Sequence, residues 1–141
     1  MKNIFRILIL VLAANTYSYG QCEFFAKKST LGKLKPYLNT QQVFSTVLLN
    51  DDKTKISGTF YFGEEYRILV TAEQQLGKIQ LNIRDAQDNI VFTTKGYGII
   101  MWDFNVESMQ DLTLEIVTPP APESQKLDKS GCVSVIIGFK Q

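Results

Sequence analysis

From Gln42 onward the chain alternates apolar and polar residues with a period of two, and polar turn residues separate the runs. Alternation of this kind is typical of β-strands that have one buried and one exposed face. In "KIQLNIR", for example, Ile79, Leu81 and Ile83 share one face of the predicted strand. Eight such runs predict eight strands: Val43–Leu49, Lys55–Phe62, Tyr66–Ala72, Lys78–Arg84, Ile90–Thr94, Ile99–Val106, Leu112–Val117 and Cys132–Lys140.

The predicted strands are short, and no helix between them is long enough to connect parallel neighbours. The sheets are therefore expected to be antiparallel. Because each strand has one polar face, two half-buried sheets packed face to face are the stable arrangement for about 100 residues of this kind. The sequence predicts an all-β fold, a jelly-roll-like antiparallel β-sandwich of about eight strands. A small closed barrel is the alternative.

The N-terminus has the order of regions found in secretory signal peptides. Lys2 and Arg6 precede the apolar run Ile7–Ala14, and small or polar residues follow it up to Gly20. The run has eight residues, whereas a transmembrane helix needs about 20. We expect residues 1–20 to be a removed signal peptide, residues 21–141 to form a single domain, and no transmembrane anchor to remain after cleavage.

A short helical segment is expected directly after Cys22. The stretch "EFFAKKSTLGKLKPYL" mixes apolar and basic residues, but Gly32 and Pro36 interrupt it. One or two helical turns followed by a loop are predicted.

Composition limits the chemistry available to the chain. It contains no histidine, which excludes Ser/His and Cys/His nucleophile pairs and histidine metal ligands. Mechanisms based on carboxylates or lysine alone survive, and a carboxylate hydrolase is the weakest of our hypotheses. Without Lys2 and Arg6, 13 of the 15 basic residues remain against 14 acidic ones, so no electrostatic feature favours nucleic acid or an anionic membrane as partner. No cofactor is expected, and the chain is not expected to be an enzyme.

The two cysteines, Cys22 and Cys132, are expected to form one structural disulfide. A lipid anchor at Cys22 is not expected, because Gln21 stands where a lipoprotein signal needs a small residue. A metal site would need further ligands, and a redox pair would be closer in sequence. Two free thiols are the alternative. With a disulfide and a signal peptide, the protein is expected to be secreted or periplasmic.

Carboxylates offer few functional sites. Asp85, Asp88 and Asn89 are weak calcium candidates, because oxygen ligands on a tight loop suit that ion, but turns select the same residues for backbone reasons. Asp51 and Asp52 are interpreted in the same way. Adjacent residues point apart, so the pair of Glu64 and Glu65 is a poor acid/base pair.

Aromatic and proline residues are the candidates for ligand or partner contacts. Trp102, with Tyr97, Tyr61 and Tyr66 as neighbours, could form a platform, although its phase with Ile100 and Phe104 favours a position in the core. The longest irregular stretch, Thr118–Gly131, contains three prolines that suit either a recognition surface or a flexible loop, and we favour the loop. The candidates are Tyr97, Trp102, Pro119, Pro120 and Pro122.

The stretch from Gly58 to Thr94 resembles small β-sandwich modules of the pre-peptidase C-terminal type and GOLD-type domains. The resemblance rests on "FYFGEEYRILVTA" and "IQLNIRDAQDNIVF". The terminal "GCVSVIIGF", paired with Cys22, is similar to the disulfide-tied last strand of GOLD-like proteins. Those families imply an exported, non-catalytic module that binds protein or carbohydrate. We therefore expect a protein or glycan partner in the cell envelope or outside the cell, with a carbohydrate- or small-ligand-binding module using exposed aromatics as the alternative.

Overall fold

The computed structural model describes residues 20–30, 32–124 and 127–140. In these ranges the chain forms one α-helix, one short 3₁₀ helix and eight β-strands. The elements are α1 (Gly20–Thr30), β1 (Leu38–Leu49), β2 (Lys53–Phe60), β3 (Glu65–Ala72), the 3₁₀ helix (Gln74–Leu76), β4 (Lys78–Arg84), β5 (Ile90–Tyr97), β6 (Ile99–Asn105), β7 (Gln110–Val117) and β8 (Ser130–Lys140). The predicted signal peptide lies outside these ranges, apart from Gly20.

Two four-stranded antiparallel sheets pack face to face. The first sheet has the order β1-β8-β3-β6, and the second has the order β2-β7-β4-β5. The chain crosses from one sheet to the other at every connection between strands except that between β4 and β5, and this strand order is the jelly-roll arrangement. The predicted β-sandwich is therefore confirmed, and the molecule is not a closed barrel.

Several strand boundaries differ from the predicted ones. Strand β1 begins at Leu38 rather than Val43, and β5 continues to Tyr97 rather than ending at Thr94. Strand β2 ends at Phe60, so Tyr61 and Phe62 belong to the following turn. The start of β1 does not alternate apolar and polar residues, because residues 39–42 are all polar, so the pattern does not predict it. These residues pair with β8 through an irregular register between Asn39 and Val43.

The core lies between the two sheets and is built from the faces that the alternation predicts. Ile79, Leu81 and Ile83 of β4 are fully buried, and so are the corresponding residues of β3 and β7. Burial of each such side chain contributes roughly 1.5–3 kcal/mol. Hydrophobic packing between the sheets is therefore the main source of stability.

The two central strands of the first sheet, β3 and β8, are buried on both faces, contrary to the expectation that every sheet is half exposed, whereas Val47 of β1 and Met101 of β6 remain exposed. Helix α1 lies on the outer face of this sheet and presents Cys22, Ala26 and Thr30, which are four residues apart and buried. Leu69 and Ile136 on the same face are also buried, and Ile136 packs against Leu34 and Tyr37 of the segment between α1 and β1. The helix has 11 residues, about three turns, so the predicted one or two turns were too short. The small side chains on its inner face permit the close approach to the sheet.

The disulfide between Cys22 and Cys132 is confirmed, with a Cα–Cα distance of 5.2 Å. It joins α1 to β8 across 110 positions of sequence. Neither sulfur is therefore available as a thiol or a lipid attachment site in this structure.

A second connection fastens the segment between α1 and β1 to the first sheet. Arg67 on β3 donates two hydrogen bonds to Asp103 on β6, at 2.7 and 2.6 Å. The same guanidinium donates to the carbonyls of Lys33 and Lys35, both at 3.0 Å. Its hydrogen bonds hold the pKa of Asp103 below the usual range. Arg67 thus joins two strands and a loop.

None of the described helices is long and apolar enough to span a membrane.

Candidate functional site

Three turns meet at one end of the sandwich, and we call them the distal loops: residues 61–64, 85–89 and 106–109. Phe60, the last residue of β2, is opposite Gln110, the first residue of β7. The turn 61–64 after Phe60 is therefore adjacent to the turn 106–109 before Gln110. The Gly63 N–H donates to the Val106 carbonyl at 3.0 Å. The Val106 N–H donates back to the Glu64 carbonyl at 3.1 Å.

The distal loops expose large apolar side chains. Phe62 is 72% exposed and Met109 is 67% exposed. Tyr61 beside them is also exposed, as are Ile90 and Val91 at the adjoining start of β5. A set of apolar groups gathered at one end of a domain is typical of an interaction site, whereas single exposed apolar residues are ordinary.

The same loops are acidic. They contain Glu64, Asp85, Asp88 and Glu107 and no lysine or arginine. A shallow depression between two of the loops is lined by Asp85, Met109 and neighbouring residues. The distal loops therefore combine exposed apolar groups with negative charge.

Buried aromatic rings support the turn that carries Phe62. The Tyr66 hydroxyl donates to Glu64 Oε2 at 2.5 Å and accepts the N–H of Tyr61 at 3.2 Å. Its ring meets Phe60 edge to face at 4.9 Å between centroids. Burial, together with the bond to Glu64, raises the pKa of Tyr66. The turn is thus held from beneath while its tip remains exposed.

The predicted candidates in the turn 85–89 serve the turn itself. The Asp85 carboxylate accepts the N–H groups of Gln87 and Asn89 at 3.0 and 2.8 Å, and also Asn89 Nδ2 at 3.1 Å. These bonds lower the pKa of Asp85. Asp88 has a φ of 67°, and its backbone carbonyl accepts a hydrogen bond from the Arg84 guanidinium at 3.0 Å. The Asp85 carboxylate thus holds the turn together, which is the role that the turn interpretation gives it. Among the described residues, no group of three or more acidic or cysteine side chains could hold a metal ion.

Glu64 and Glu65 point apart, as expected of neighbours. Glu64 is bonded to Tyr66, while Glu65 accepts the Tyr37 hydroxyl on the outer face of the first sheet. Lys140 lies 3.7 Å from Glu65. The two carboxylates do not face one cleft.

Trp102 is partly buried and lies within an aromatic stack that packs against the core. Phe104 stacks on one side at 4.1 Å between centroids, and Phe92 of the opposite sheet stacks on the other at 4.6 Å. The interplanar angle is 12° in both pairs. The core interpretation of Trp102 fits this geometry, and a sugar could not stack on it without displacing a neighbour.

Tyr97 and the proline segment lie at the opposite end from the distal loops. Tyr97 is 70% exposed and lies near Lys78, whose Nζ is 6.0 Å from the ring centroid. The Pro119 carbonyl accepts the Asp51 N–H at 3.0 Å. Pro120 and Pro122 are exposed. The segment is therefore fixed where it leaves β7 and exposed beyond Pro119.

A buried carboxylate lies on the outer face of the second sheet. Glu115 of β7 is only 6% exposed and accepts Asn82 Nδ2 at 3.0 Å and Arg84 at 3.3 Å. Lys55 Nζ lies 3.5 Å away. The hydrogen bond from Asn82, followed by the bond and charge of Arg84, lowers the pKa of Glu115.

The pattern of the sequence does not reveal the distal loops, because it predicts Phe62 within a strand and Met109 within a plain connection between strands. The signal available was three consecutive aromatics, "FYF", followed by a glycine turn. Successive side chains of a strand point to opposite faces, so three aromatics in a row place at least one ring on the exposed face.

No protein-family model matches the chain. No curated protein sequence is significantly similar to it. One solved structure of similar architecture is PliG of Aeromonas hydrophila, a periplasmic inhibitor of g-type lysozyme. Its sequence is 10% identical to this one, the match covers 75% of this chain and 90% of that chain, and the TM-score is 0.48. The CBM36-1 domain of a multidomain xylanase from the hindgut metagenome of Trinervitermes trinervoides has 9% identity, coverages of 75% and 91%, and a TM-score of 0.36. These similarities concern the fold alone. By class, the chain is a jelly-roll β-sandwich with one disulfide.

Proposed function

We propose that this chain is an exported, non-catalytic binding domain that contacts a protein through its distal loops. The observation that carries the proposal is the exposure of Tyr61, Phe62 and Met109 together at one end of the sandwich. Aromatic residues and methionine are enriched in the centres of protein interfaces. Export is supported by the disulfide and by the predicted signal peptide.

The charge of the loops narrows the class of partner. With four carboxylates and no cation in these turns, a basic protein surface would be attracted and an acidic one repelled. The partner is therefore a protein with a positively charged patch beside an apolar pocket. The resemblance to exported binding modules of the pre-peptidase C-terminal and GOLD types is in keeping with this role.

Site-specific photo-crosslinking in the native cells tests the proposal. A photoreactive residue at position 62 should form a defined protein adduct, while the same residue at Val47, which is exposed on β1 far along the first sheet, should not. Met109→Ser and Glu107→Lys should each reduce the adduct at position 62 several-fold, since truncating an interface anchor costs above about 1 kcal/mol. Equal adducts from both positions, or adducts unaffected by these substitutions, would show that the distal loops are not the binding site.

A further inference from the structure

The outer face of the second sheet is open in the described part of the chain, whereas α1 and the segment 33–37 cover the middle of the outer face of the first sheet. We call it the open face. Its residues alternate with those of the core, as the burial of their neighbours shows. They are Lys53, Lys55, Ser57 and Thr59 of β2, Asp111, Thr113, Glu115 and Val117 of β7, Lys78, Gln80, Asn82 and Arg84 of β4, and Val91, Thr93, Lys95 and Tyr97 of β5.

The open face is positively charged. It carries five cations against two carboxylates, Glu115 and Asp111. Glu115 is already paired with Lys55 and Arg84. Within the described ranges, by contrast, no carboxylate lies within 4.0 Å of the amino groups of the three other lysines, which are Lys53, Lys78 and Lys95.

The three unpaired lysines lie at the end of the open face remote from the distal loops. Lys53 pairs with Val117, Val117 with Gln80, and Gln80 with Lys95, so the two lysines are the ends of one row across four strands. Three strand spacings separate them, about 14 Å. Lys78 and the exposed ring of Tyr97 are opposite each other one row further on.

Most of the uncharged side chains of the open face carry hydroxyl or amide groups, and several of these are hydrogen-bonded to one another. Ser57 and Thr113 hydroxyls are 3.0 Å apart, and Asn82 is bonded to Gln80 and to Thr93, both at 2.8 Å. An amphipathic membrane contact would need a row of large apolar side chains, and a protein interface would need an apolar centre. Hydroxyl and amide groups beside one exposed aromatic ring suit a sugar, whose hydroxyls are hydrogen-bonding groups and whose C–H face packs on a ring.

We propose that the open face binds an anionic polysaccharide, a glycan chain bearing carboxylate or sulfate groups. Lys53, Lys78 and Lys95 contact the anionic groups, Tyr97 stacks on a sugar ring, and the amide oxygen of Gln80 accepts a hydrogen bond from a sugar hydroxyl between them. The Glu115 pairs fix Lys55 and Arg84 and leave the outer lysines for the ligand. This site is separate from the distal loops, so the result of its test does not depend on the proposed protein partner.

The test measures the binding of the folded protein to polygalacturonate, dextran sulfate and neutral xylan in low salt. We expect binding to at least one of the two anionic polymers, which identifies carboxylate or sulfate as the recognised group, and none to xylan. The variant with Lys53→Gln, Lys78→Gln and Lys95→Gln should bind on the order of 100-fold more weakly, at about fivefold per lysine. Tyr97→Ala should weaken binding further, and added salt should weaken that of the wild type.

A charge-matched variant is the control. Lys27→Gln, Lys28→Gln and Lys33→Gln remove the same charge from the helix side of the molecule and should change the affinity less than threefold. Urea unfolding midpoints establish that both variants are folded. The proposal is overturned if neither anionic polymer binds, if both variants weaken binding equally, or if xylan binds as well. It is also overturned if phosphatidylglycerol vesicles or single-stranded DNA bind more tightly with the same dependence on the three lysines.

Discussion

The guanidinium carbon of Arg67 lies 4.4 Å from the centroid of the Tyr37 ring, and the Tyr37 hydroxyl donates to Glu65 two residues before Arg67. A cation above an aromatic face is attracted to it by about 0.5–2 kcal/mol. Tyr37 is buried, while the side chains of Arg67 and Glu65 are 14% and 36% exposed, so both contacts are partly shielded from water. The chain between α1 and β1 is therefore attached to β3 by a stacked pair as well as by hydrogen bonds.

Tyr37→Phe should alter stability at high pH. The bond to Glu65, followed by burial, raises the pKa of Tyr37 to about 12. The folded state thus retains the Tyr37 proton, which the unfolded state loses near pH 10. The contribution of the protonated Tyr37 to stability is therefore complete below pH 10 and is lost as the pH rises to about 12. Urea midpoints between pH 9 and 12 should fall less steeply in Tyr37→Phe than in the wild type. Tyr97→Phe, with an exposed ring, should follow the wild type, and identical slopes in Tyr37→Phe would contradict the assignment.

Glu115→Gln should lower stability by about 1–3 kcal/mol at neutral pH, since the paired carboxylate loses its charge beside Arg84 and Lys55. The pKa of Glu115 is lowered on folding, so its contribution is present above the unfolded value of about 4.3 and lost as the pH falls through the folded value. The difference from the wild type should therefore shrink in acid. Denaturation at pH 7, 4 and 2.5 measures it, with exposed Glu123→Gln as the control. A constant difference at all three pH values would exclude this explanation.

Removal of the disulfide should cost about 2–5 kcal/mol. The variant Cys22→Ala with Cys132→Ala no longer restricts the unfolded chain over 110 positions. Chemical denaturation with and without reductant measures the change. Reductant should bring the wild type to the midpoint of the variant and leave the variant unaffected; a wild type insensitive to reductant while unfolding would count against the bridge.

Gly138→Ala should destabilise the docking of the 33–37 segment. A Cβ at this position would lie 2.7 Å from Leu34 Cδ1 and 2.9 Å from Tyr37 Cβ, closer than packed carbons approach. Overpacking of this kind costs about 1–3 kcal/mol. Gly32→Ala is the matched control, because a Cβ there meets no atom within 4 Å. Thermal unfolding of the two variants should differ, and equal melting temperatures would show that the segment adjusts freely.

The inward faces of the strands were predictable because they follow from alternation alone. Leu112, Leu114 and Ile116 are buried as the pattern indicates. A signal for the burial of β3 and β8 on both faces is present in the runs "ILVTA" and "CVSVIIGF", in which one small hydroxyl residue, Thr71 or Ser134, interrupts otherwise apolar sequence; nearly continuous apolar runs are typical of strands covered on both faces. The helix that covers them has a weak pattern, since Ala26 and Thr30 are small or polar and form no apolar stripe.

The candidate sites were less predictable, because they depend on which turns meet. Asp85 and Trp102 drew attention through their residue types, and each is engaged by close neighbours. Phe62 and Met109 are 47 positions apart in sequence and come together only through the pairing of β2 with β7. Likewise, Lys53 and Lys95 are joined in one row only by the order of the second sheet.

Trp102 is the single tryptophan of the chain, and its stack with Phe92 joins β6 of one sheet to β5 of the other. Tryptophan fluorescence, excited at wavelengths where the six tyrosines do not absorb, therefore originates where the two sheets meet. An emission change during unfolding reports the opening of this contact between the sheets, even when backbone signals from either sheet are unchanged. Comparing emission with circular dichroism along one unfolding curve would thus distinguish separation of the sheets from loss of the strands.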